Sequence, residues 1–176
     1  MLWKHSFGAG SVIGGIHWGL AFDGARVFAP MNTFPGADGR DAGEVAGLHA
    51  VAVDSGTVLW SYYPQPDCSG DRKTRVRTCA SVTGMTGAPT VIAGAVVEGS
   101  ADGFLRAFDV NNGALLFQFD TTQPVTSANG VPGSGGALDN ASIVAAKGFL
   151  FVNSGYGIIG GQTPGNLFLA FHAKPQ

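Results

Sequence analysis

The chain has 176 residues, of which 12% are charged and 28 are glycine, and its formal net charge is −2. This composition favours many short strands joined by tight turns and argues against disorder. The small negative charge provides no basic surface for nucleic acid or an anionic membrane. No apolar run approaches the roughly 20 residues of a membrane-spanning helix. The sequence therefore predicts a single all-β domain over residues 1–176, with neither a nucleic-acid partner nor a membrane span.

Alternating apolar residues and turn residues predict a series of strands. In chain order they cover residues 18–22, 26–30, 48–53, 57–60, 89–92, 95–100, 104–110, 114–119, 142–145, 149–153 and 167–171. Leu2–His5 is also of strand type, and no segment has sustained helical periodicity.

A strand-turn-strand phrase recurs along the chain. Residues 48–60 align with residues 105–117 without a gap, and a third copy begins at residue 168. Such repeats indicate a propeller, because one repeat cannot bury its apolar faces alone. The predicted fold is an all-β partial β-propeller of about three four-stranded antiparallel blades. A strand of a neighbouring blade is expected at 1–5, blades at 16–60 and 88–119, and an incomplete blade, or one shared between the termini, at 141–171.

The connections between these strands sort onto two faces of the predicted propeller. Short turns lie on one face, and the opposite face, here the long-loop face, carries connections 31–47, 61–88, 120–141 and 154–166. Binding and catalysis concentrate on long loops of rigid scaffolds, so function is predicted there. Three blades leave open sheet faces and edges, so the expected partners are the remaining blades of a longer chain or further copies of this one.

The two cysteines, Cys68 and Cys79, lie in one polar connection. A disulfide that staples this loop is the favoured interpretation, with two free thiols as the alternative. A metal site is disfavoured because two cysteines fall short of the usual four ligands. A disulfide indicates an oxidising compartment, so a periplasmic or otherwise exported location is expected, although no signal-peptide pattern precedes the repeats.

The repeat phrase Ala-x-x-x-(Asp/Asn)-x-Gly-x-x-x-Trp at residues 50–60 resembles that of pyrroloquinoline-quinone (PQQ)-dependent dehydrogenases. Longer strings are similar to the carboxy-terminal blades of the polyvinyl alcohol dehydrogenase family: GGIHWG (14–19), DT (120–121) with NGV (129–131), VNSGYG (152–157) and PGNL (164–167). This resemblance covers nearly the whole chain. It implies a periplasmic eight-bladed propeller that binds PQQ and Ca²⁺, with cytochrome c as electron acceptor. The chain has no Cys-x-x-Cys-His motif, so haem c would belong to a domain outside it.

Enzymes of this kind transfer a hydride from an alcohol to the quinone. This reaction requires a carboxylate base, oxygen ligands for a hard cation and a flat apolar wall against the quinone ring. Trp18 is the candidate wall and His17 a candidate hydrogen-bonding partner of the cofactor, with inter-blade packing and strand capping as alternatives. Asp139 is the candidate base and, with Asn140, a candidate Ca²⁺ ligand, unless these residues only form a turn. Asn129 is a third candidate cofactor contact, unless it only allows an unusual backbone angle.

Four further residues are assigned structural roles. Trp3, Trp60 and Phe117 recur at one repeat position and are predicted to pack between blades. Arg106 lies within a strand, where a structural ion pair is favoured over contact with a quinone carboxylate.

Two functions from different classes remain open. The first is part of a quinone-dependent alcohol dehydrogenase for polyvinyl alcohol or secondary alcohols, with little or no turnover by the isolated chain. The second is a non-catalytic propeller scaffold for binding or assembly, which the lack of a concentrated carboxylate cluster favours.

Overall fold

The computed structural model describes residues 1–7, 15–32, 46–77, 79–80, 84–157 and 161–172. Most of the long connection predicted at 31–47 lies outside the described residues, as does Gly14 of the first family-like string.

Within these ranges the chain forms short antiparallel strands and one helical turn. In chain order they are β1 (Ala21–Phe22), β2 (Arg26–Pro30), β3 (Leu48–Ala52), β4 (Val58–Tyr62), α1 (Arg72–Arg75), β5 (Thr90–Ile92), β6 (Ala95–Gly99), β7 (Phe104–Asp109), β8 (Leu115–Asp120), β9 (Val125–Thr126), β10 (Pro132–Gly133), β11 (Ile143–Ala146), β12 (Phe149–Ser154) and β13 (Leu167–His172). No helix in the described ranges has the length and apolar character needed to cross a bilayer.

The strands assemble into three main sheets in sequence order. Blade 1 is β1-β2-β3-β4, blade 2 is β5-β6-β7-β8, and blade 3 is the three-stranded sheet β11-β12-β13. Neighbouring strands within each sheet are antiparallel. The predicted all-β fold of four-stranded antiparallel blades, one of them incomplete, is confirmed.

The repeat in the sequence reappears in the strand register. Each four-stranded blade has an irregularity between its third and fourth strands, between Ala50 and Val51 in blade 1 and between Ala107 and Phe108 in blade 2. These positions are equivalent in the repeat. A bulge increases local twist, so both blades bend alike before their final turn.

The core lies between the sheets. One buried cluster joins blades 1 and 2 and consists of Phe28, Leu48, Ala50, Trp60, Met85, Val96, Phe108 and Val110. A second joins blades 2 and 3 and consists of Val97, Leu105, Ala107, Leu138, Ile143 and Val152. Strands β6 and β7 of blade 2 are thus buried on both faces, and each blade depends on its neighbour for a core.

Trp60 attaches blade 1 to the last turn of blade 2. Its indole Nε1 donates a hydrogen bond to the carbonyl of Val110 at 3.0 Å. A Cβ on Gly113 would lie 2.7 Å from the indole ring, so only glycine leaves room for this contact. Phe117, at the equivalent position of blade 2, contacts Phe171 of blade 3 with ring centroids 6.0 Å apart. The predicted inter-blade packing of this repeat position is confirmed.

Trp3 makes the same contact with blade 1, although the strand predicted at Leu2–His5 is absent from the structure. Its indole Nε1 donates to the carbonyl of Val53 at 2.8 Å, and a Cβ on Gly56 would lie 2.7 Å from the ring. The indole contact needs only the turn between β3 and β4 of blade 1, whereas a strand needs a neighbouring backbone that pairs with it.

Three further features differ from the sequence expectations. The strand predicted at 18–22 shrinks to β1, because Gly19 has a φ of 143°, which L-residues rarely adopt. The helical turn α1 was not predicted, nor was the β9-β10 hairpin, and both are too short to give a periodic signal.

The predicted disulfide between Cys68 and Cys79 is confirmed and encloses α1. From this stapled loop the buried Arg72 reaches blade 2, where its guanidinium forms an ion pair with Asp120 at 2.7 Å. The same guanidinium lies 3.9 Å above the ring of Phe104. The disulfide therefore holds a loop whose cationic side chain is anchored in the next blade.

Arg106 forms the structural ion pair that the sequence favoured. It is 2% exposed, and its guanidinium lies 2.9 Å from the carboxylate of Asp102. Further donors reach Ser100 and Gln118 at 2.7 and 3.0 Å. With these partners, the guanidinium is held inside blade 2.

Candidate functional site

Asp139 is the centre of a polar cluster on the long-loop face. It lies immediately before blade 3 and is fully buried. Its Oδ1 accepts a hydrogen bond from Trp18 Nε1 at 3.1 Å, and its Oδ2 accepts one from Gln162 Nε2 at 2.8 Å. Its own backbone N–H donates to the carbonyl of Tyr156 at 3.3 Å. Both carboxylate oxygens and the backbone are therefore held in place.

His17 and Trp18 reach this cluster from the segment that precedes β1. The His17 Nδ1 lies 3.7 Å from Asp139 Oδ1. The ring centroids of His17 and Trp18 are 4.8 Å apart. The side chain of His17 is 20% exposed, yet its Nδ1 is buried and has no hydrogen-bond partner among the residues that the structure describes. The structure thus brings together three of the predicted site residues across blades 1 and 3.

Asn140 adjoins the cluster and links it to blade 2. Its backbone carbonyl accepts a hydrogen bond from Ala88 N at 3.2 Å. Its side-chain Oδ1 is buried and has no hydrogen-bond partner in the described part of the chain. A buried amide oxygen without a partner is costly, so this atom marks a place where a ligand donor or water would be stabilising.

Asn129 lies apart from this cluster. It belongs to the turn between β9 and β10, where it is exposed and its Oδ1 accepts a hydrogen bond from the Ser127 hydroxyl. No contact with His17, Trp18 or Asp139 is found in the described part of the chain.

Sequence reasoning missed Gln162. This side chain holds Asp139 Oδ2 from the connection between β12 and β13. Its place in a predicted long connection was the only available signal, because a lone glutamine has no diagnostic spacing.

Several carboxylates outside the cluster have shifted pKa values, among them Asp120 and Glu98 of blade 2. Burial raises the pKa of Asp120, but hydrogen bonds from Thr122 and Arg72 outweigh this effect, so the pKa is lowered overall. Burial raises the pKa of Glu98 well above its usual range, and the nearby charge of Arg106 offsets only part of the increase. Neither carboxylate oxygen of Glu98 has a hydrogen-bond partner among the described residues.

Two curated relatives match nearly the whole chain. The polyvinylalcohol dehydrogenase of Sphingopyxis sp. (strain 113P3) is 34% identical over 179 residues, which cover 97% of this chain and 26% of that protein. The polyvinylalcohol dehydrogenase of Pseudomonas sp. is 28% identical over 169 residues, covering 95% and 25%. The resemblance to polyvinyl alcohol dehydrogenases is confirmed. This chain spans about a quarter of the length of the curated relatives it matches.

Other comparisons add little to this relationship with the polyvinyl alcohol dehydrogenases. No family model matches the chain. The solved quinohemoprotein alcohol dehydrogenase from Comamonas testosteroni aligns with 83% of this chain and 22% of its own, with a TM-score of 0.49 and 19% identity.

The cluster fits one wall of the quinone site that the polyvinyl alcohol dehydrogenase resemblance implies. Trp18 offers a flat ring that Asp139 fixes at its edge, and His17 Nδ1 and Asn140 Oδ1 are buried polar atoms still without partners. The implied Ca²⁺ does not fit these residues. Ca²⁺ takes about six to eight oxygen ligands, whereas the cluster supplies one carboxylate, that of Asp139, and the described residues contain no group of three or more His, Cys, Asp or Glu side chains placed to hold a metal.

Proposed function

We propose that this chain is part of a quinone-dependent alcohol dehydrogenase that oxidises polyvinyl alcohol or another secondary alcohol. The observation that carries the proposal is the convergence of His17, Trp18 and Asp139, from two different blades, in a chain 34% identical to a polyvinylalcohol dehydrogenase. A buried carboxylate beside an aromatic ring and a titratable imidazole matches the needs of alcohol oxidation.

Each residue of the cluster has a distinct role in this proposal. Trp18 forms a wall against the quinone ring, and His17 Nδ1 contacts the cofactor or the alcohol. PQQ, when bound, supplies the two-electron acceptor. Asp139 fixes Trp18 and is the candidate base. Each Asp139 oxygen accepts one N–H bond, from Trp18 on Oδ1 and from Gln162 on Oδ2, and keeps a second lone pair that can take a proton.

The location and partners of the chain also belong to this proposal. The disulfide between Cys68 and Cys79 supports an exported, periplasmic location. The remaining blades would complete the ring, while cytochrome c would accept electrons and haem c would belong to another domain. Asn129, on its exposed turn, would shape the entrance to the site rather than touch the cluster.

Ligand-induced stabilisation tests the cofactor role of the cluster. PQQ is expected to raise the melting temperature of the parent chain, because a ligand that binds only the folded state stabilises it. His17→Ala is expected to remove this increase, whereas His5→Ala, at an exposed histidine of the amino-terminal segment, should retain it. An unchanged melting temperature of the parent with excess PQQ contradicts the proposal.

The scaffold function remains the second candidate, and the outer face of blade 3 favours it. Phe149, Phe151 and Phe168 form a row on this face with ring centroids about 6 Å apart, and Phe168 is 74% exposed. An apolar sheet face of this kind is typical of an assembly surface. The scaffold function predicts no response to PQQ.

A further inference from the structure

A groove of about 400 Å³ opens on the long-loop face, beside the Asp139 cluster. One side comes from the disulfide-stapled loop, with Arg75 and Arg77, and the other from the segments around β10 and before β13, with Ser134 and Thr163. Its size falls in the range of small-molecule sites, which hold ligands much larger than a simple alcohol.

The two arginines of the groove differ in their partners. Arg75 is held by Asp71 and Asp120 at 2.9 and 3.2 Å and also donates to Thr122, so it forms a fixed wall. The Arg77 guanidinium has no hydrogen bond or ion pair with any residue that the structure describes, and only its backbone N–H is bound, to Thr163 Oγ1 at 3.0 Å. Arg77 can therefore donate to a ligand.

Two hydroxyl groups of the groove can likewise form hydrogen bonds with a ligand. The backbone of Ser134 pairs with Asn166, but among the described residues its hydroxyl has no partner. The hydroxyl of Thr163 accepts the Arg77 N–H and finds no acceptor for its own proton within the described ranges. The groove is also lined by apolar or bare backbone surfaces, formed by Pro124, Pro164 and the glycines of β10 and its continuation.

This combination of polar groups and small apolar surfaces in one groove suits a carbon chain that carries oxygen on every second carbon. We infer that the groove binds a segment of polyhydroxylated chain, with hydroxyl oxygens at Arg77, Ser134 and Thr163 and methylene groups on the two prolines. The inference rests on the proposed function, because it takes the polymer to be the substrate of the same site.

The segment that lines the groove also holds the candidate base, Asp139. Gln162, whose side chain holds Asp139 Oδ2, is the residue immediately before Thr163. The carbonyl of Thr163 accepts a hydrogen bond from Ala137 N at 2.8 Å, two residues before Asp139. A chain lying in the groove would thus pass next to the segment that fixes the carboxylate, so we assign the groove a positioning role for the polymer.

Affinity electrophoresis through native gels that contain polyvinyl alcohol tests this inference directly. The polymer is expected to retard the parent chain in proportion to its concentration. Arg77→Ala and Ser134→Ala should each weaken the apparent affinity about two- to tenfold, as for the loss of one hydrogen bond. Neither side chain has a partner within the described ranges, so both variants are expected to retain the melting temperature of the parent. Lys147→Asn removes one positive charge on the short-turn face and should leave the retardation unchanged.

Three results overturn the inference: no retardation of the parent, equal retardation of the parent and both groove variants, or stronger retardation by polyacrylate than by polyvinyl alcohol, which would reveal an anion site. The stabilisation by PQQ is measured on the same samples. A protein that responds to PQQ but ignores the polymer overturns the groove alone. A protein retarded by the polymer through Arg77 but unaffected by PQQ overturns only the cofactor part of the proposed function.

Discussion

The contact of Trp60 with Gly113 gives a quantitative test of how the blades are held together. Gly113→Ala introduces a Cβ that would lie 2.7 Å from the indole at a residue whose φ is 73°. Gly94, in the other short turn of blade 2, is a matched control, because its φ is 75° and a Cβ there meets nothing within 4 Å.

The two substitutions share one cost and differ in another. An L-residue in the left-handed conformation costs about 1–2 kcal/mol, and this applies to both glycines. Overpacking against a well-ordered side chain adds about 1–3 kcal/mol, and this applies only at Gly113. Gly113→Ala should therefore lower the free energy of unfolding by about 2–5 kcal/mol and Gly94→Ala by about 1–2 kcal/mol.

Urea denaturation followed by circular dichroism measures this difference. Combining Gly113→Ala with Trp60→Leu, which removes the indole, should abolish the additional cost of the alanine, since the two residues contact each other. Equal destabilisation by Gly113→Ala and Gly94→Ala would refute the role of Trp60 as the inter-blade anchor.

Three further predictions concern the buried charges and the disulfide. Because the pKa of Glu98 is raised in the folded state, the stability of the parent should fall as pH rises from the ordinary glutamate pKa through the raised one. Glu98→Gln should remove this fall. Urea midpoints that change equally with pH in parent and variant between pH 5 and 8 would contradict the prediction. Because the pKa of Asp120 is lowered, its stabilisation is present above the ordinary aspartate pKa and is lost as pH falls through the lowered one. Asp120→Asn should cost about 3 kcal/mol at pH 7, because it removes the nearer of the two carboxylates that pair with Arg72, at 2.7 Å, and leaves only that of Asp67, at 3.7 Å. An acid unfolding curve identical to that of the parent would argue against this pairing. Reduction of the bond between Cys68 and Cys79 should lower the free energy of unfolding by about 2–4 kcal/mol, seen as a lower melting temperature with reductant. A Cys68→Ser/Cys79→Ser variant should melt like the reduced parent. Unchanged melting in both cases would show that the disulfide does not stabilise the fold.

Much of the fold could be predicted from the sequence because its signals are local. The hairpin at Asp23-Gly24 follows from turn residues, and the side chain of Asp23 accepts the backbone N–H groups of Ala25 and Arg26 as such a turn requires. Strand β2 has the predicted bounds, since period-two patterning and a flanking turn define it. The equivalence of Trp3, Trp60 and Phe117 is likewise visible in the spacing alone.

The site was less predictable, because its geometry joins distant parts of the chain. The sequence singled out Trp18 and Asp139 separately, from their positions at the starts of two innermost strands. Their hydrogen bond spans 121 residues and depends on blade 2 being packed between blades 1 and 3. Gln162 had no signal at all, since a single amide in a loop acquires its meaning only from the carboxylate it reaches.

The sequence by itself thus determined the blade, its turns and the residue that anchors each blade to the next, because short-range hydrogen bonding and a fixed repeat govern all three. Only the tertiary structure decided that the strand-like Leu2–His5 would contribute an indole contact instead of a strand, since a strand needs a paired backbone. The tertiary structure also decided which buried polar atoms have hydrogen-bond partners among the described residues. The two oxygens of Asp139 have them, and Asn140 Oδ1 does not. Burial, which only the packed blades create, turns the same residue types into either a fixed support or an unsatisfied group that is available to a ligand.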